Sequence, residues 1–363
     1  MEKLAAEKRL KDLLNFVGQQ GASDLHLVLG RYPTLRVNGK LIPLTKEGVL
    51  TANDTKAMSD VLLTDDKREE LMADGQTDLS YSPDDKSRFR VNIFFQKGAV
   101  SIAMRFVSSK IHTLEELGLP NSLYGFTQAS QGLFLMTGPV GHGKSTTLAA
   151  MVDYINRTQE KHIVTIEDPI EFVYVQDRCI INQREVGRDA KSFSSALRAV
   201  LREDVNVVLL GELRDLDTIA TAMTAAETGH LIFATLHTND APQTIDRIID
   251  VFPAHQQNQI RLQLANVLLG VVSQRLLPQL SGGRVPALEI MFMNHAVENL
   301  IRENQTHQID SVIETSLKEG MISLDRSLAD LVRRGVVSPQ DAMAYAKNRD
   351  YFKMLVGRTD MHE

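Results

Sequence analysis

A glycine-rich loop carries the residues of this chain that could do chemistry most directly. The pattern G-x-x-x-x-G-K-[ST] occurs in the run Gly138-Pro139-Val140-Gly141-His142-Gly143-Lys144-Ser145-Thr146, directly after an apolar segment over residues 133–137. In such a loop, glycines let backbone N–H groups point at phosphate oxygens, the lysine reaches the β- and γ-phosphates, and the serine hydroxyl helps to hold Mg²⁺. A helix over residues 144–159 would add its positive end. The loop, called the P-loop below, therefore predicts a site for a nucleoside triphosphate with Mg²⁺.

Carboxylates follow two later apolar segments. Residues 163–166 lead into Glu167, Asp168 and Glu171, and residues 207–210 lead into Gly211 and Glu212. Because the carboxyl ends of parallel strands meet at one edge of a sheet, these side chains are expected near the phosphates. Glu212 is a candidate general base or water orienter, while Glu167 and Glu171 suit Mg²⁺ and its water. Gly211 stands where such strands usually carry an aspartate, which weakens direct metal ligation from this strand.

Two histidines bracket a further apolar segment, residues 231–236. His237 follows that segment, so it is placed to contact the third phosphate, whereas His230 precedes it and lies at the opposite end. His230 could act only if a loop or a neighbouring subunit brought it to the site. Since isolated histidines at strand ends are often structural, the residues alone leave both assignments open.

Phosphoryl transfer also needs positive charge, which is often an arginine supplied by another subunit. Arg88 and Arg90 are two residues apart and hence share one face of a strand, and Arg105 ends a nearby strand. They are candidates for that role if the N-terminal part of a second copy covers the P-loop. The alternative is that they are solvated charges on a half-exposed sheet.

Composition limits the classes of protein to consider. The chain has 363 residues, of which 43% are hydrophobic and 24% charged, enough for two domains with separate cores. No apolar run approaches the roughly 18–20 residues that span a membrane, and the charged N-terminus does not resemble a signal peptide, so a cytoplasmic location is expected. The single cysteine, Cys179, excludes an intramolecular disulfide and a multi-cysteine zinc site. A net charge of −6 argues against nucleic acid as a partner.

Hydrophobic periodicity predicts four regions. Residues 1–106 form a small α+β domain with a mixed sheet, a helix over 54–72, and hairpin turns at Asn38-Gly39 and Pro83-Asp84-Asp85. Residues 107–130 form a linker. Residues 131–280 form an α/β core in which strands and helices alternate around a parallel sheet, ending in a long helix over 255–277. Residues 281–363 form a mostly helical subdomain that suits a partner better than catalysis.

Further motifs extend this pattern over nearly the whole chain. They are Ser23-Asp24-Leu25-His26-Leu27, Arg88-Phe89-Arg90-Val91-Asn92, Thr165-Ile166-Glu167-Asp168-Pro169-Ile170-Glu171-Phe172, Asn182-Gln183-Arg184-Glu185-Val186-Gly187, Gly229-His230, Thr235-Leu236-His237-Thr238-Asn239-Asp240-Ala241 and Ser273-Gln274-Arg275-Leu276. In this order, together with the P-loop and Gly211-Glu212, the chain resembles the secretion-superfamily ATPases, and most closely those that retract type IV pili.

The resemblance implies a homohexameric ring in which a PAS-like N-terminal domain joins a RecA-like motor. ATP and ADP would bind between the two domains with Mg²⁺, and arginines would reach across subunits. Glu167, Glu171 and Glu212 would serve Mg²⁺ and the water, and His230 and His237 would be catalytic. The chain would sit at the pilus base, peripheral to the inner membrane, on a membrane platform protein and in company with a paralogous pilus ATPase. Its motion would draw pilin out of the fibre and drive twitching motility.

Two departures from the resemblance bear on function. His142 stands where the family usually has serine, which puts a side chain on the loop that could tune nucleotide exchange. Glu298 reverses a charge in the segment Ala296-Val297-Glu298-Asn299-Leu300-Ile301, which the family uses to couple hydrolysis to retraction. An auxiliary or regulatory ring of the same machine therefore stays an alternative, as does an assembly or secretion ATPase, although those commonly carry a four-cysteine insert that one cysteine cannot build.

Overall fold

The computed structural model describes residues 2–37, 39–84, 87–107 and 110–357. The chain divides between Lys110 and Ile111 into an N-terminal and a C-terminal unit, and the segment Glu171–Val175 belongs to the N-terminal one. Asn38 and Asp85 of the two predicted hairpin turns lie outside the described residues. No helix among the described residues is long and apolar enough to cross a membrane.

The N-terminal unit is an α+β fold. Its elements are α1 (Glu2–Gln19), β1 (Asp24–Leu27), β2 (Thr34–Val37), β3 (Lys40–Pro43), α2 (Ala52–Leu62), α3 (Asp65–Asp74), β4 (Gln76–Asp84), β5 (Ser87–Gln96) and β6 (Ala99–Val107), with a short 3-10 helix at Thr45–Glu47. The strands form one sheet in the order β3-β2-β1-β6-β5-β4. Leu10, Leu14, Leu25, Phe89 and Ile93 are fully buried in its core.

Two expectations for this unit were wrong. Each described strand pair is antiparallel, so the sheet is not mixed. The predicted helix over 54–72 is two helices, because Leu63 adopts an extended conformation and ends α2 before α3 begins at Asp65. α2 begins with a capping box, in which the Thr51 hydroxyl accepts a hydrogen bond from the Asp54 N–H and the Asp54 carboxylate accepts one from the Thr51 N–H.

The C-terminal unit alternates strands and helices and then becomes mostly helical. Its elements are α4 (Tyr124–Thr127), β7 (Gly132–Thr137), α5 (Lys144–Thr158), β8 (His162–Glu167), β9 (Ile180–Glu185), α6 (Phe193–Val200), β10 (Val207–Leu210), α7 (Leu216–Glu227), β11 (Leu231–Leu236), α8 (Ala241–Asp250), α9 (Ala254–Val267), β12 (Leu268–Pro278), β13 (Arg284–Phe292), α10 (His295–Arg302), α11 (Ile309–Thr315), α12 (Leu324–Arg333), α13 (Pro339–Tyr345) and α14 (Arg349–Gly357). Short 3-10 helices lie at Asn121–Leu123, Thr306–Gln308 and Leu317–Glu319.

The predicted α/β architecture is confirmed. The strands of this unit form a seven-stranded sheet in the order β13-β12-β7-β11-β10-β8-β9, and all of its pairs are parallel except β12 with β13. Every residue of β7, β10 and β11 is buried, as expected for central strands with helices on both faces. The P-loop therefore leaves a central strand, with the ends of β11 and β12 on either side.

The predicted helix over 255–277 was wrong in its second half. The helix ends at Val267, and residues 268–278 are the strand β12, which pairs with β7 on one side and β13 on the other. A continuous apolar run such as Val271-Val272 fits a buried helix and a buried strand equally well, so periodicity could not separate them. This misassignment concealed a strand that borders the P-loop.

Two predicted boundaries also differ from the observed packing. Residues 111–130 belong to the C-terminal unit, where Leu114, Leu119, Leu123 and Phe126 are buried, and are not an independent linker. The expected boundary at residue 280 falls inside the turn that joins β12 to β13. The helical C-terminal part is thus continuous with the sheet.

A buried carboxylate lies on β13 at the start of α8. Glu289 is 3% exposed, and its Oε1 accepts the backbone N–H of Ala241 at 2.9 Å. Burial raises the pKa of Glu289 to about 7 from an ordinary value of 4.5, although the charge of Lys347 and the Ala241 hydrogen bond oppose the increase. Between pH 4.5 and about pH 7, Glu289 is therefore protonated in the folded protein and ionised in the unfolded chain.

The pKa of Glu289 predicts that folding stability falls as the pH rises from about 5 to about 7. Glu289→Gln keeps an oxygen for the Ala241 N–H but cannot ionise. The free energy of unfolding of this variant should therefore lack the decrease, on the order of 2 to 3 kcal/mol, that the unsubstituted protein shows across this range. The measurement is the free energy of unfolding in urea at pH 5 and pH 7.5, with the exposed Glu314→Gln as the matched control. Equal pH dependence in Glu289→Gln and in the unsubstituted protein would contradict this prediction.

Candidate nucleotide site

The P-loop has the backbone of an anion cradle. It runs from buried β7 to the N-terminus of α5, and Gly138, Gly141 and Gly143 have φ angles of 134°, 77° and 81°. Residues with a Cβ rarely adopt these angles, which turn successive peptide groups toward the inside of the loop. The N–H groups of the first turn of α5 and the helix dipole add to the attraction for a phosphate.

The side chain of Lys144 lies in this cradle. It is 7% exposed, and its Nζ donates to the carbonyl oxygens of Gly138 at 2.7 Å and Pro139 at 3.0 Å. It also lies 3.2 Å from Nδ1 of His237. A lysine ammonium can only donate, so Nδ1 of His237 accepts and the ring proton of neutral His237 is on Nε2.

His237 links the lysine to the carboxylate of Glu212. Its Nε2 lies 3.3 Å from Oε1 of Glu212, whose Oε2 accepts from Nε of Arg214 at 2.7 Å. The side chain of Glu212 is 18% exposed, compared with 65% for that of Arg214. The ends of β7, β11 and β10 thus place Lys144, His237, Glu212 and Arg214 in a row in which each side chain lies within 3.3 Å of the next. We call this row the Lys144–Arg214 chain.

Gly211 is in close contact with the end of the neighbouring strand. A Cβ at this position would lie 3.3 Å from the Cα of Glu167 and 3.4 Å from the carbonyl oxygen of Ile166. Glu167 is 7% exposed and accepts a hydrogen bond from the Thr165 hydroxyl at 2.7 Å. Gly211, which stands where such strands usually carry an aspartate, is therefore closely packed beside the carboxylate of Glu167.

The remaining predicted residues are His230 and four residues of the N-terminal unit. His230 precedes β11, at the end of the strand opposite the P-loop, and its Nδ1 lies 3.1 Å from the carbonyl oxygen of Ala225. Glu171 belongs to the N-terminal unit, as do the three predicted arginines, Arg88, Arg90 and Arg105. The catalytic and binding roles of these residues stay predictions.

Arg105 already has a partner within the N-terminal unit. Its Nε donates to Asp24 at 2.9 Å, and Nε of Arg36 lies 3.7 Å from the same carboxylate. Burial raises the pKa of Asp24, but the hydrogen bonds from Ser23 and Arg105 outweigh it and the net pKa is below the ordinary value. Arg90 faces Arg105 across the β5–β6 pair.

Gln274 on β12 supports the P-loop, a role that sequence reasoning missed. Its Nε2 donates to the carbonyl oxygen of His142 at 2.8 Å, and its Oε1 accepts from the Thr147 hydroxyl at 2.8 Å. The hydroxyl groups of Ser273 and Thr137 are 2.7 Å apart one step earlier along β12 and β7. The signal was the polar run Ser273-Gln274-Arg275 inside an apolar segment, which indicates a specific contact once the segment is known to be a strand.

His142 fixes the top of the P-loop to the same strand. Its Nδ1 accepts the backbone N–H of Leu276 at 2.9 Å, and Nη1 of Arg284 donates to the neighbouring carbonyl of Gly141 at 3.2 Å. Burial lowers the pKa of His142, and the positive charges of Arg275, Lys144 and Arg284 lower it further. The imidazole is thereby kept neutral, as its acceptor role requires.

Two clefts of the C-terminal unit adjoin these residues. One of about 850 Å³ is bordered by Thr146 and Thr147 of α5 and by Leu276 and Arg284 of the β12–β13 hairpin. The other, of about 370 Å³, is lined by Glu212, Arg214, His237 and Arg247, among others.

The residues present fit a nucleotide with Mg²⁺. A Cβ at Gly138 would lie 2.4 Å from the carbonyl oxygen of Gln274, so the cradle exists only with glycine there. Among the described residues no group of three or more His, Cys, Asp or Glu side chains is arranged to hold a metal ion. Mg²⁺ in such sites takes most of its ligands from phosphates and water, with few from the protein, so the Ser145 hydroxyl and a carboxylate suffice.

Comparison with known proteins places this geometry in a family. The family model described as "Type II/IV secretion system protein" matches residues 2–283. The "Type IV pilus retractation ATPase PilT" of Pseudomonas aeruginosa is 46% identical over 94% of this chain and 99% of its own length. The "Type IV pilus ATPase PilU" of the same organism is 35% identical over 95% of this chain and 90% of its own length.

A solved structure shows the same fold. The crystal structure of the pilus retraction motor PilT with bound ADP has a TM-score of 0.88 and 43% sequence identity, covering 95% of this chain and 98% of that one. This likeness extends over both units and confirms the predicted α/β fold class. Together with the family match and the two relatives, it shows that the chain belongs to the type II/IV secretion system protein family of ATPases.

Proposed function

We propose that this protein hydrolyses ATP to ADP and phosphate and uses the free energy to retract type IV pili. The observation that carries the proposal is the Lys144–Arg214 chain, which brings the P-loop lysine, a histidine and a strand-terminal glutamate to one edge of the sheet. Similarity to PilT, the retraction ATPase, supports the mechanical output. The ADP in the PilT structure supports an adenine nucleotide as the ligand.

Binding of ATP would replace the carbonyl and imidazole partners of Lys144 with phosphate oxygens, whose negative charge would neutralise the ammonium. Its Nζ now rests on the carbonyl oxygens of Gly138 and Pro139, and phosphate oxygens are stronger acceptors than these carbonyls. The lysine would then leave Nδ1 of His237. Nε2 of His237 would stay 3.3 Å from Glu212 once Lys144 has left Nδ1.

Glu212 is the best candidate to act on the attacking water. Its carboxylate is mostly buried and lies in the 370 Å³ cleft, where a water could sit in line with the third phosphate. The glutamate would orient this water and accept its proton as the oxygen–phosphorus bond forms and the ADP oxygen leaves. Mg²⁺, held by Ser145, Glu171 and Glu212 directly or through water, would neutralise charge on the phosphate oxygens.

The proposal includes the assembly and its place in the cell. A homohexamer would let Arg88, Arg90 or Arg105 of one subunit supply charge to the nucleotide of the next. The ring would act in the cytoplasm at the base of the pilus, bound to a platform protein of the inner membrane and peripheral to that membrane. A paralogous pilus ATPase is a further partner, as the existence of PilU beside PilT in one organism suggests.

An auxiliary ring of the same machine is a second candidate because of Glu298. This residue lies on α10, where it pairs with Arg302 and with His295, the latter at 3.3 Å. A positively charged residue is usual here in the retraction ATPases that the chain resembles, so α10 presents a different charge pattern. If the protein hydrolyses ATP but cannot restore retraction to cells that lack their own retraction ATPase, the auxiliary function is favoured.

Substitutions in the Lys144–Arg214 chain should separate binding from chemistry. Lys144→Ala should abolish both nucleotide binding and Mg²⁺-dependent phosphate release, because the loop loses the charge that meets the phosphates. Glu212→Gln should keep ADP affinity within about threefold but lower kcat by about 10²- to 10³-fold, because the amide cannot take the proton. Phosphate release and binding of fluorescent ADP are the measurements, with Glu227→Gln on α7 as the control. Turnover of Glu212→Gln equal to that of Glu227→Gln would exclude its assigned role.

The hydrogen bonds from Gln274 on β12 support the P-loop without contacting the phosphates, so their loss should weaken nucleotide binding indirectly. Gln274→Leu leaves the His142 carbonyl and the Thr147 hydroxyl without these partners, so ADP affinity should fall about tenfold through loosening of the loop. Titration with fluorescent ADP measures the effect. Gln263→Leu, a surface glutamine on α9, should bind as the unsubstituted protein does, and an equal affinity in Gln274→Leu would show that β12 does not support the loop.

The molecular mass of the protein in solution tests the proposed homohexamer. The chain has a mass of 40.5 kDa, and light scattering after gel filtration with ATP and Mg²⁺ should give six times that mass. Arg88→Ala should then lower kcat while leaving the size unchanged. A monomer in the presence of ATP would contradict the supply of arginines between subunits.

A further inference from the structure

A short segment between α13 and α14 is fixed in place by a buried carboxylate. Oδ1 of Asp325 accepts the backbone N–H of Lys347 at 2.8 Å, and its Oδ2 accepts that of Asn348 at 2.9 Å. Asp325 belongs to α12 and is 4% exposed. We call residues 345–347 the clasp, which consists of the last residue of α13 and the two residues that follow it. The hydrogen bonds to Asp325 fix the path of the chain at the end of the clasp.

One end of the clasp contacts the P-loop. The ring of Tyr345 meets that of His142 edge to face, with 6.3 Å between ring centroids and an interplanar angle of 66°. This lies within the range of favourable aromatic pairs. Since His142 is fixed to Leu276 on its other side, the loop is held between β12 and the clasp.

The other end of the clasp contacts the loop that follows His237. Nζ of Lys347 lies 3.1 Å from Oδ2 of Asp240 and 2.7 Å from Oδ1 of Asp310. Asp240 is the N-cap of α8, where its side chain accepts the N–H of Gln243 at 2.9 Å. The lysine thus fixes the start of α8, three residues after the histidine of the Lys144–Arg214 chain.

Neighbouring polar and charged groups strengthen the second contact. Glu289 accepts the N–H of Ala241, the residue after Asp240, and Arg275 donates to both the carbonyl and the side-chain oxygen of Asn239 at 3.0 Å. Burial lowers the pKa of Lys347, but Glu289, Asp310 and Asp240 outweigh it and the net pKa is raised. Without the lysine, the carboxylates of Asp240 and Asp310 would repel one another where α8 begins.

We propose that the clasp is a positioning element of the nucleotide site. Tyr345 holds the P-loop through His142, and Lys347 holds the loop after His237 through Asp240, so three consecutive residues of the C-terminal region set the distance between the two walls of the site. The kinetic part of this inference rests on the proposed ATP hydrolysis, whereas its structural part does not. Tyr345 would act through His142 and Lys347 through Asp240, without a direct contact to the nucleotide.

The two contacts predict two separable defects. Lys347→Met should lower kcat about tenfold and leave ADP affinity within about twofold, because the His237 wall moves while the P-loop does not. Tyr345→Leu should weaken ADP affinity about fivefold and change kcat by less than about twofold, because only the loop loosens. Lys347→Arg should restore most of the lost kcat. Lys353→Met, an exposed lysine on α14, is the matched control, since its Nζ lies 3.9 Å from Asp350 at the surface.

Hydrogen exchange gives a readout that does not need hydrolysis. Lys347→Met should speed exchange in peptides that cover residues 238–245 and leave those that cover 138–146 unchanged, and Tyr345→Leu should do the reverse. If Lys347→Met lowers overall stability too far, Lys347→Gln provides a milder test of the same contact. Absence of ATP turnover in the unsubstituted protein would refute the proposed function. Hydrogen exchange and ADP affinity would still test the positioning role of the clasp. The clasp is overturned if both variants behave as Lys353→Met does, or if both show the same pattern of exchange and the same balance of kcat and affinity.

Discussion

A lysine ammonium that is withdrawn from water must be surrounded by hydrogen-bond acceptors, and Lys144 meets this requirement with groups that a phosphate can later replace. Two of its acceptors are carbonyl oxygens of the loop that precedes it, and the third is a ring nitrogen of His237. The loop can present these carbonyls only because glycines adopt backbone angles closed to other residues. The charge of one side chain thus links the backbone of the P-loop to the histidine and, through it, to Glu212.

The sheet brings these groups within reach of one another. β11 pairs with β7 in parallel register, so Leu236 lies beside Thr137 and the residues that follow the two strands meet. β12 flanks β7 on the other side and approaches so closely at Gly138 that a Cβ would clash with the backbone of Gln274. Contacts from Gln274, Leu276 and Arg284 then hold the loop from that side. The proposed clasp adds a third support from the helices that follow β13.

Local motifs predicted the residues of the site more accurately than the fold around it. The P-loop, Glu212 and His237 could be assigned to strand ends because the run of apolar residues before each one is short and bounded by polar residues. The second half of the 255–277 segment could not be assigned, because a buried strand has no alternation and a buried helix has no polar face. That error removed β12 from the predicted sheet, and with it the support of the loop by Gln274. The antiparallel order of the N-terminal sheet and the pairing of Lys347 with Asp240 depend on contacts between residues far apart in the chain, which no local pattern reports.

The most direct measurement is a crystal structure of the protein with Mg²⁺ and a non-hydrolysable ATP analogue. Nζ of Lys144 should leave the carbonyl oxygens of Gly138 and Pro139 and bind phosphate oxygens, and Nδ1 of His237 should lose its contact with Nζ while Nε2 stays beside Glu212. A complex in which the analogue binds but Lys144 keeps its carbonyl partners, with His237 and Glu212 turned away from the phosphates, would contradict this mechanism.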